Sequence, residues 1–394
     1  MISEQMKTLV ANSSVIRAMF EEGKRLAEIH GLENVYDFSL GNPNVQPPAR
    51  VKEAILDILD QEEPMAVHGY MNNSGFEDVR EGIARHLDQK YGLALGGESI
   101  IMTCGAAGGL NITFKSLLNP GDEVVVFAPF FGEYRNYAAN YNAKLVVVPA
   151  DTKTFQPDVE GLRRAITART KVVIVNSPNN PTGVVYTAGT MEQLAQVLRE
   201  KEAEHGTDIF LVSDEPYREL TYDGAEVPYL LKYHKNSIIG YSYSKSLSLP
   251  GERIGYLVVN PEAADFQELM GALNVANRIL GFVNAPSLFQ KVVARSLDAE
   301  VDVDYYKRNR DMLYGHLTAI GISCVKPEGA FYLFPKSPIQ DDVKFCEDAK
   351  RYNILMVPGS AFGCPGHVRI AYCISRERVE NSLDAFTKLM ENYK

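Results

Sequence analysis

Two serines, a lysine and an arginine lie close together between residues 242 and 253. Ser242 and Ser244 precede Lys245, and Arg253 follows the lysine after eight positions. A lysine amine can form a Schiff base with a carbonyl compound, whereas hydroxyls and a guanidinium fork suit the oxygens of a phosphate. The segment therefore predicts a phosphate site beside an amine nucleophile. A Ser-rich loop with a solvated lysine gives the same pattern, so the interpretation depends on other segments.

Two further segments place a charged side chain at the end of, or inside, an apolar run. Asp214 ends the run 209–213, which predicts a buried strand, and Arg369 interrupts the run 367–372. A buried carboxylate requires a cationic partner, and a buried arginine requires an anionic one. A protonated ring nitrogen would suit Asp214, although an aspartate that caps a strand is common. Arg369 predicts either an anionic substrate or a structural carboxylate nearby.

Small residues dominate the segment 103–111, which follows a short apolar strand and leads into a helical stretch. Small residues allow the backbone N–H groups at the start of a helix to approach an anion closely. Gly105, Ala106 and Ala107 are therefore a candidate phosphate cradle. The spacing does not match Gly-x-Gly-x-x-Gly, which argues against a dinucleotide. The segment 176–183, rich in asparagine and proline, predicts a turn.

Short apolar runs alternate with helical stretches through the middle of the chain. This alternation predicts an α/β fold, with a mostly parallel sheet between helices. The predicted strands are 123–129, 144–149, 172–178, 209–214, 237–242 and 253–260, and the predicted helices include 159–168 and 190–205. The polar motifs follow the carboxyl ends of strands, where ligands bind in such sheets.

The pattern changes after about residue 286 to long helices with two short strands, near 329–335 and 367–373. A chain of 394 residues exceeds the usual size of one core. We therefore expect a large domain over residues 46–286. A smaller domain is expected from residues 1–45 and 287–394.

Composition excludes several classes of protein. The net charge of −10 argues against nucleic acid as a partner. The sequence has no run of eighteen apolar residues, so no membrane span is predicted. The N-terminus does not have the pattern of a signal peptide. The five cysteines are widely separated and have no metal-ligand spacing, which predicts reduced thiols, no metal site and a cytoplasmic location.

Together, these segments resemble the pyridoxal-phosphate-dependent class I and II aminotransferases, the aspartate aminotransferase fold type I family, over about residues 39–376. The resemblance implies a seven-stranded, mostly parallel sheet sandwiched by helices, plus a smaller α/β domain. It implies pyridoxal 5′-phosphate as cofactor, held covalently by Lys245. The same lysine is implied to move the proton of the substrate's α-carbon.

The resemblance also implies a role for each matching residue. Asp214 would pair with the pyridinium nitrogen, and Tyr217 and Asn180 would bind the 3′-oxygen of the cofactor. The other implied cofactor contacts are Gly105, Ala106, Ala107, Ser242, Ser244 and Arg253 around the phosphate, and Phe131 on the ring. Arg369 would bind the substrate α-carboxylate, with Asn180 and Gly41 close to the substrate. Tyr70 would reach the phosphate of a neighbouring subunit, which implies a homodimer with shared active sites.

The implied reaction moves an amino group between an L-amino acid and a 2-oxo acid such as 2-oxoglutarate, with aspartate as the favoured donor. Dicarboxylate-specific members use a second cation, but the loop 105–109 has Ala107 and no lysine. Arg278, acting across a dimer, is the remaining candidate. Aromatic or broad specificity stays open, as does a carbon–sulfur β-lyase on the same fold. A non-catalytic sensor fused to a DNA-binding domain is disfavoured, because the first motif comes at about Ser39.

Overall fold

The computed structural model describes residues 1–11 and 15–393. In this part of the chain the helices are α1 (Glu4–Ala11), α2 (Val15–His30), α3 (Ala49–Gln61), α4 (Pro64–His68), α5 (Glu77–Tyr91), α6 (Gly105–Leu117), α7 (Glu133–Ala139), α8 (Val159–Ala165), α9 (Ala188–His205), α10 (Tyr243–Ser246), α11 (Phe266–Ile279), α12 (Ser287–Ala294), α13 (Val303–Ala319), α14 (Asp342–Ala349) and α15 (Arg376–Glu391). The strands are β1 (Tyr36–Asp37), β2 (Ile100–Thr103), β3 (Glu123–Phe127), β4 (Lys144–Val148), β5 (Thr170–Asn176), β6 (Phe210–Asp214), β7 (Ser237–Ser242), β8 (Gly255–Val259), β9 (Tyr332–Leu333), β10 (Ile354–Leu355), β11 (Val357–Pro358) and β12 (Val368–Ala371).

Seven strands in the order β2-β8-β7-β6-β5-β3-β4 form the largest sheet within the described residues. β8 runs antiparallel to both of its neighbours, and the other pairs are parallel. Every residue of β3, β6 and β7 is buried, as expected when helices cover both faces of a sheet. The predicted α/β fold with a mostly parallel seven-stranded sheet is confirmed.

Successive residues of each strand enter two different hydrophobic layers. Val125 and Leu211 belong to the layer built with α3, α5, α8, α9 and α12. Val126 and Val212 belong to the layer built with α6, α7 and α11. This alternation follows from the two-residue period of a strand, and it explains why the strands read as continuous apolar runs.

A third cluster is formed mainly by residues 301–390, and we call it the C-terminal cluster. It surrounds the small antiparallel sheet β11-β12-β9. Phe38 joins this cluster, with its ring centroid 5.8 Å from that of Phe386. β1 pairs in parallel with β10, so residues 36 and 37 lie against the C-terminal part of the chain. The division into two domains at residues 46 and 286 stays a prediction.

The predicted strands of the large sheet are correct in position and differ from the observed strands by at most two residues at either end; 237–242 matches β7, whereas 172–178 lies two residues later than β5. Predicted strand 253–260 begins only at Gly255, because Arg253 adopts a left-handed conformation with φ 53°. Predicted helix 190–205 begins two residues earlier, since the Thr187 side chain accepts from the backbone N–H of Thr190 and caps it. In the described part of the chain, no helix is both long and apolar enough to cross a membrane.

Candidate active site

A cavity of about 320 Å³ lies where β5, β6 and β7 end. Asn176, Asp214 and Ser242 are the last residues of these strands, and all three line the cavity. This is the expected position of a ligand site in a parallel sheet. Of the residues predicted from sequence, the cavity is lined by Gly41, Ala106, Ala107, Phe131, Asn180, Asp214, Tyr217, Ser242, Ser244, Lys245, Arg253 and Arg369.

Lys245 is positioned by the turn that follows β7. The Ser242 hydroxyl accepts a hydrogen bond from the backbone N–H of Ser244 at 3.2 Å and caps the short helix α10. Lys245 Nζ donates to the carbonyl oxygen of Gly41 at 2.7 Å. Burial lowers the pKa of Lys245 to about 8. A larger fraction of this amine is therefore uncharged near neutral pH than is usual for lysine, as a nucleophile or base requires.

Asp214 is a buried carboxylate with one oxygen free. Its Oδ2 atom accepts from the Tyr134 hydroxyl at 2.7 Å, whereas its Oδ1 atom has no hydrogen-bond partner among the described residues. Burial raises the pKa of Asp214 to about 6, although the hydrogen bond from Tyr134 opposes this rise. A cationic group in the cavity would satisfy Oδ1 and favour the ionised form.

The glycine-rich loop and Arg253 meet at the other end of the cavity. Gly105 begins α6 with φ +70°, and a Cβ atom at this position would lie 2.8 Å from Arg253 Nη2. The hydroxyls of Ser242 and Ser244 are 2.7 Å apart and line the same cavity. A helix start, two hydroxyls and a guanidinium together fit a phosphate group. Gly105 lies behind Arg253 and does not itself line the cavity.

Arg369 occupies the side of the cavity formed by the C-terminal cluster. Its guanidinium lies between the rings of Tyr332 and Phe362, 4.8 Å from each centroid. Nη1 donates to Asn180 Oδ1 at 3.1 Å, and Nη2 donates to the carbonyl oxygen of Ser39 at 2.6 Å. The described residues provide no carboxylate within ion-pair distance of Arg369, and its buried Nε atom is unpaired. The arginine is therefore suited to bind an anion that enters the cavity.

Asn180 is held in place by Asn176, which has no assigned role from sequence. Asn176 Oδ1 accepts from the backbone N–H of Asn180 at 2.7 Å, and its Nδ2 atom donates to the carbonyl oxygen of Asp214 at 2.7 Å. The strand register pairs Asn176 with Asp214. Because both residues end neighbouring parallel strands, their proximity was predictable from the sequence.

Tyr134, which binds Asp214, and Tyr332, which lines the cavity, are two further residues that sequence reasoning missed. Tyr134 lies three positions after Phe131, and the two rings meet edge to face with centroids 5.6 Å apart. A hydroxyl this close in sequence to a predicted ring contact was the signal that could have placed Tyr134 in the site. Tyr332 lines the cavity, and its hydroxyl lies 2.8 Å from that of Tyr217. Nothing in the local sequence indicates this contact, because 115 residues separate the two tyrosines.

Besides Gly105, two predicted residues, Tyr70 and Arg278, do not line the cavity of this chain. The side chain of Tyr70 is 95% exposed, and Arg278 is exposed on α11. In the described part of the chain, neither side chain forms a hydrogen bond or ion pair with a predicted cofactor residue, so their roles stay predictions that require a second subunit. No group of histidine, cysteine, aspartate or glutamate in the described residues could hold a metal ion.

Comparison with known proteins identifies the family. The family described as aminotransferase class I and II matches residues 33–386. An aspartate aminotransferase of Thermotoga maritima is 31% identical over 379 residues, which cover 95% of this chain and 96% of that protein. An amino transferase structure from Eubacterium rectale has a TM-score of 0.98 at 46% identity, covering 100% of this chain and 99% of that one. The structure of aspartate aminotransferase from Thermus thermophilus with maleate has a TM-score of 0.87 at 30% identity and covers 99% of both chains.

The fold and the cavity are those of an α/β transferase with a lysine at the end of a central strand. The chain belongs to the class I and II aminotransferases. Members of this family depend on pyridoxal phosphate. The free Asp214 oxygen and the cradle around Arg253 show that the residues present fit this cofactor.

Proposed function

We propose that this enzyme uses pyridoxal 5′-phosphate to move an amino group between an L-amino acid, with aspartate favoured, and a 2-oxo acid such as 2-oxoglutarate. The observation that carries the proposal is a set of three side chains that line one cavity. It combines a lysine of lowered pKa with a buried carboxylate and a buried arginine that have, among the described residues, a free oxygen and no carboxylate partner respectively. The similar aspartate aminotransferases support the choice of aspartate.

Four groups of residues would hold the cofactor. Asp214 Oδ1 would bind the ring nitrogen, and Tyr217 with Asn180 would bind the 3′-oxygen. Phe131 would contact the ring. The phosphate would be held by residues from three segments, namely Ala106, Ala107, Ser242, Ser244 and Arg253, while Gly105 leaves room for the Arg253 guanidinium. When bound, pyridoxal phosphate supplies an aldehyde that condenses with amines and a ring that accepts electrons from the substrate's α-carbon.

The chain's own residues perform the binding and the proton transfer. Arg369 would exchange its bonds to Asn180 and Ser39 for the two oxygens of the substrate α-carboxylate, a geometry that suits a guanidinium fork. Lys245 Nζ would take the proton from the substrate's α-carbon, since its lowered pKa leaves part of the amine free to act as a base. The segment of Gly41, which accepts a bond from Lys245 here, would lie over the substrate and exclude water.

A half-reaction tests this function. Purified protein with pyridoxal phosphate is mixed with each amino acid in the absence of a 2-oxo acid, while the absorbance of the cofactor is followed. We expect the bound cofactor to pass from its aldehyde to its amine form, fastest with aspartate. Accumulation of pyruvate and ammonia without this change would instead identify a β-lyase, and no change with any amino acid would contradict the proposal.

We propose that the enzyme is a homodimer, because apolar side chains are exposed on α11 and on residues 65–70, which precede a segment that is hydrogen-bonded to α11. Val275 and Ile279 on α11 are 47% and 57% exposed, and Met65 is 76% exposed. The segment of Tyr70 is tied to this region, since Asn277 donates to the carbonyl oxygen of Asn73 at 2.7 Å. Exposed apolar patches of this kind mark interfaces, and this one would place Tyr70 against a second copy.

Ile279→Glu is expected to weaken the dimer by at least about 100-fold in dissociation constant, because a charge would be buried in the interface. Analytical ultracentrifugation over a range of concentrations measures this change. Val343→Glu is the matched control, since Val343 is 49% exposed on α14, outside the proposed interface. An Ile279→Glu protein as dimeric as the wild type would remove α11 from the interface.

The specificity for aspartate is proposed to depend on Arg278 of the partner subunit. Within the described cavity residues, the cations are Lys245, Arg253 and Arg369. Each already has a proposed role, as the base, the phosphate contact and the α-carboxylate contact respectively. A donor with a neutral or aromatic side chain is therefore the second candidate, favoured by the absence of a further cation among these residues. Arg278 is exposed on the helix that carries Ile279, where a second copy would cover it.

Arg278→Ala is expected to lower the ratio of aspartate to alanine turnover about 10- to 100-fold, because a charged hydrogen bond to the distal carboxylate would be lost. Comparison of kcat/KM for both amino acids measures the ratio. Arg351→Ala serves as control, since its side chain is 78% exposed in another part of the chain. An unchanged ratio in Arg278→Ala would exclude Arg278 from the site and favour broad specificity.

The five cysteines are all free. Two of them are half-buried and three are buried. Free thiols are typical of proteins in reducing compartments, and we propose a cytoplasmic location on this basis.

A further inference from the structure

Two buried tyrosines share a hydrogen bond in the active-site cavity. The Tyr332 hydroxyl on β9 lies 2.8 Å from the Tyr217 hydroxyl, which follows β6 by three residues. Tyr332 is 2% exposed and Tyr217 is 5% exposed. Their rings meet edge to face, with centroids 5.6 Å apart. Both tyrosines belong to the C-terminal cluster, and both line the cavity.

The hydroxyl of Tyr332 has a defined place in the site. A Cβ atom at Gly41 would collide with it, so the glycine at this position leaves room for the hydroxyl. The ring of Tyr332 lies against the Arg369 guanidinium, 4.8 Å from its centroid. Among the described residues, Tyr217 is the one hydrogen-bond partner of the Tyr332 hydroxyl.

Each hydroxyl carries a single proton, and only one of the two protons can lie in the shared bond. If Tyr217 were the donor, its proton would lie in the shared bond, and the proton of Tyr332 would have no acceptor. Were Tyr332 the donor, the proton of Tyr217 would stay available for another oxygen in the cavity. The two directions therefore have opposite consequences for any ligand next to Tyr217.

The need to pair both buried protons favours donation by Tyr332, since Tyr217 is its one hydrogen-bond partner among the described residues. Burial raises the pKa of both hydroxyls, which keeps both protonated at neutral pH. The Arg369 guanidinium opposes this rise in both hydroxyls but does not reverse it, so each buried proton requires an acceptor.

We propose that Tyr332 is a positioning residue, which donates to Tyr217 and thereby directs the Tyr217 proton to the 3′-oxygen of the bound cofactor. This inference rests on the proposed cofactor site. Hydrogen bonds in a chain strengthen one another, particularly where water is excluded. Tyr332 would therefore increase the donor strength of Tyr217, and through it favour the deprotonated form of the bound cofactor.

The test is a pH titration of the cofactor absorbance in the holoenzyme. Tyr332→Phe keeps the ring against Arg369 and removes only the hydroxyl. A weaker bond from Tyr217 stabilises the deprotonated cofactor less, so the midpoint of the absorbance change is expected to rise by about half a pH unit. KM for the amino donor should change less than twofold, because the contact of the ring with Arg369 is retained.

Two controls separate positioning from a structural effect. Tyr372→Phe also removes a buried hydroxyl from the C-terminal cluster, one that contacts the backbone oxygen of Ala330, and its midpoint should equal that of the wild type. In a Tyr217→Phe protein, the additional change Tyr332→Phe should produce no further shift, because its effect passes through Tyr217. Thermal melting of each holoenzyme verifies that the variants are folded, as expected for loss of one hydroxyl.

The outcomes distinguish this inference from the function on which it rests. A wild-type protein without any cofactor absorbance would overturn both. A normal wild-type titration with an unchanged midpoint in Tyr332→Phe would overturn only the role of Tyr332. A shift of equal size in the presence and absence of the Tyr217 hydroxyl would also overturn it, since Tyr332 would then act by another route.

Discussion

Replacing Lys245 with alanine is expected to lower the rate of amino transfer on the order of 10⁴-fold, because the substitution removes both the amine that binds the cofactor and the base that moves the substrate proton. Single-turnover kinetics with aspartate measures this loss. Lys235→Ala is the matched control, because Lys235 is an exposed lysine that does not line the cavity. Its rate should equal that of the wild type.

The covalent role of Lys245 has a readout that does not depend on turnover. Borohydride treatment of the holoenzyme should fix the cofactor on the peptide that contains Lys245, and mass spectrometry detects the added mass. The Lys245→Ala protein should lose its cofactor on gel filtration, with or without borohydride. Labelling of a different lysine, or a rate within tenfold of the wild type, would show that the amine nucleophile lies elsewhere.

The sequence was sufficient to predict the residues that end buried strands. Asp214 and Ser242 each end a mostly apolar run, and parallel strands bring their carboxyl ends to one edge of the sheet. The sheet and the position of Lys245 were therefore predictable from local patterns. Arg369 was found for a related reason, since a guanidinium inside an apolar strand requires an anion.

The contacts between distant segments were not predictable in the same way. Tyr332 touches Tyr217 only because β9 of the C-terminal cluster is folded against the cavity. Tyr134 reaches Asp214 across 80 residues of sequence, although it lies only three positions after the predicted ring contact Phe131. Tyr70 and Arg278 show a further limit, because their predicted roles depend on a second copy of the chain.

The buried carboxylate of Asp214 is expected to have opposite effects on stability and on catalysis. Its pKa is raised from 3.8 to about 6 by burial, so the folded, cofactor-free protein holds this proton more tightly than the unfolded chain. By linkage, the stability associated with Asp214 is greatest below pH 4 and is lost as the pH rises through about 6. Above that pH, the shift corresponds to a cost on the order of 3 kcal/mol.

Asp214→Asn should therefore stabilise the cofactor-free protein at pH 8 by up to about 3 kcal/mol, with no difference from the wild type near pH 4. Chemical denaturation at the two pH values measures both differences. Glu215→Gln is the contrasting control, because Glu215 forms a buried ion pair with Arg218. Loss of that carboxylate leaves a buried guanidinium unpaired and should destabilise the protein.

The same Asp214→Asn substitution is expected to lower the half-reaction rate about 10²- to 10³-fold, because a neutral amide cannot keep the ring nitrogen of the cofactor protonated. A variant that is more stable without the cofactor and less active with it would show that a cation of the cofactor stabilises the buried, ionised carboxylate of Asp214. A cofactor-free Asp214→Asn protein less stable than the wild type at pH 8 would contradict this account. In that case the bond from Tyr134, rather than a bound cation, would be the main stabilising partner of the carboxylate.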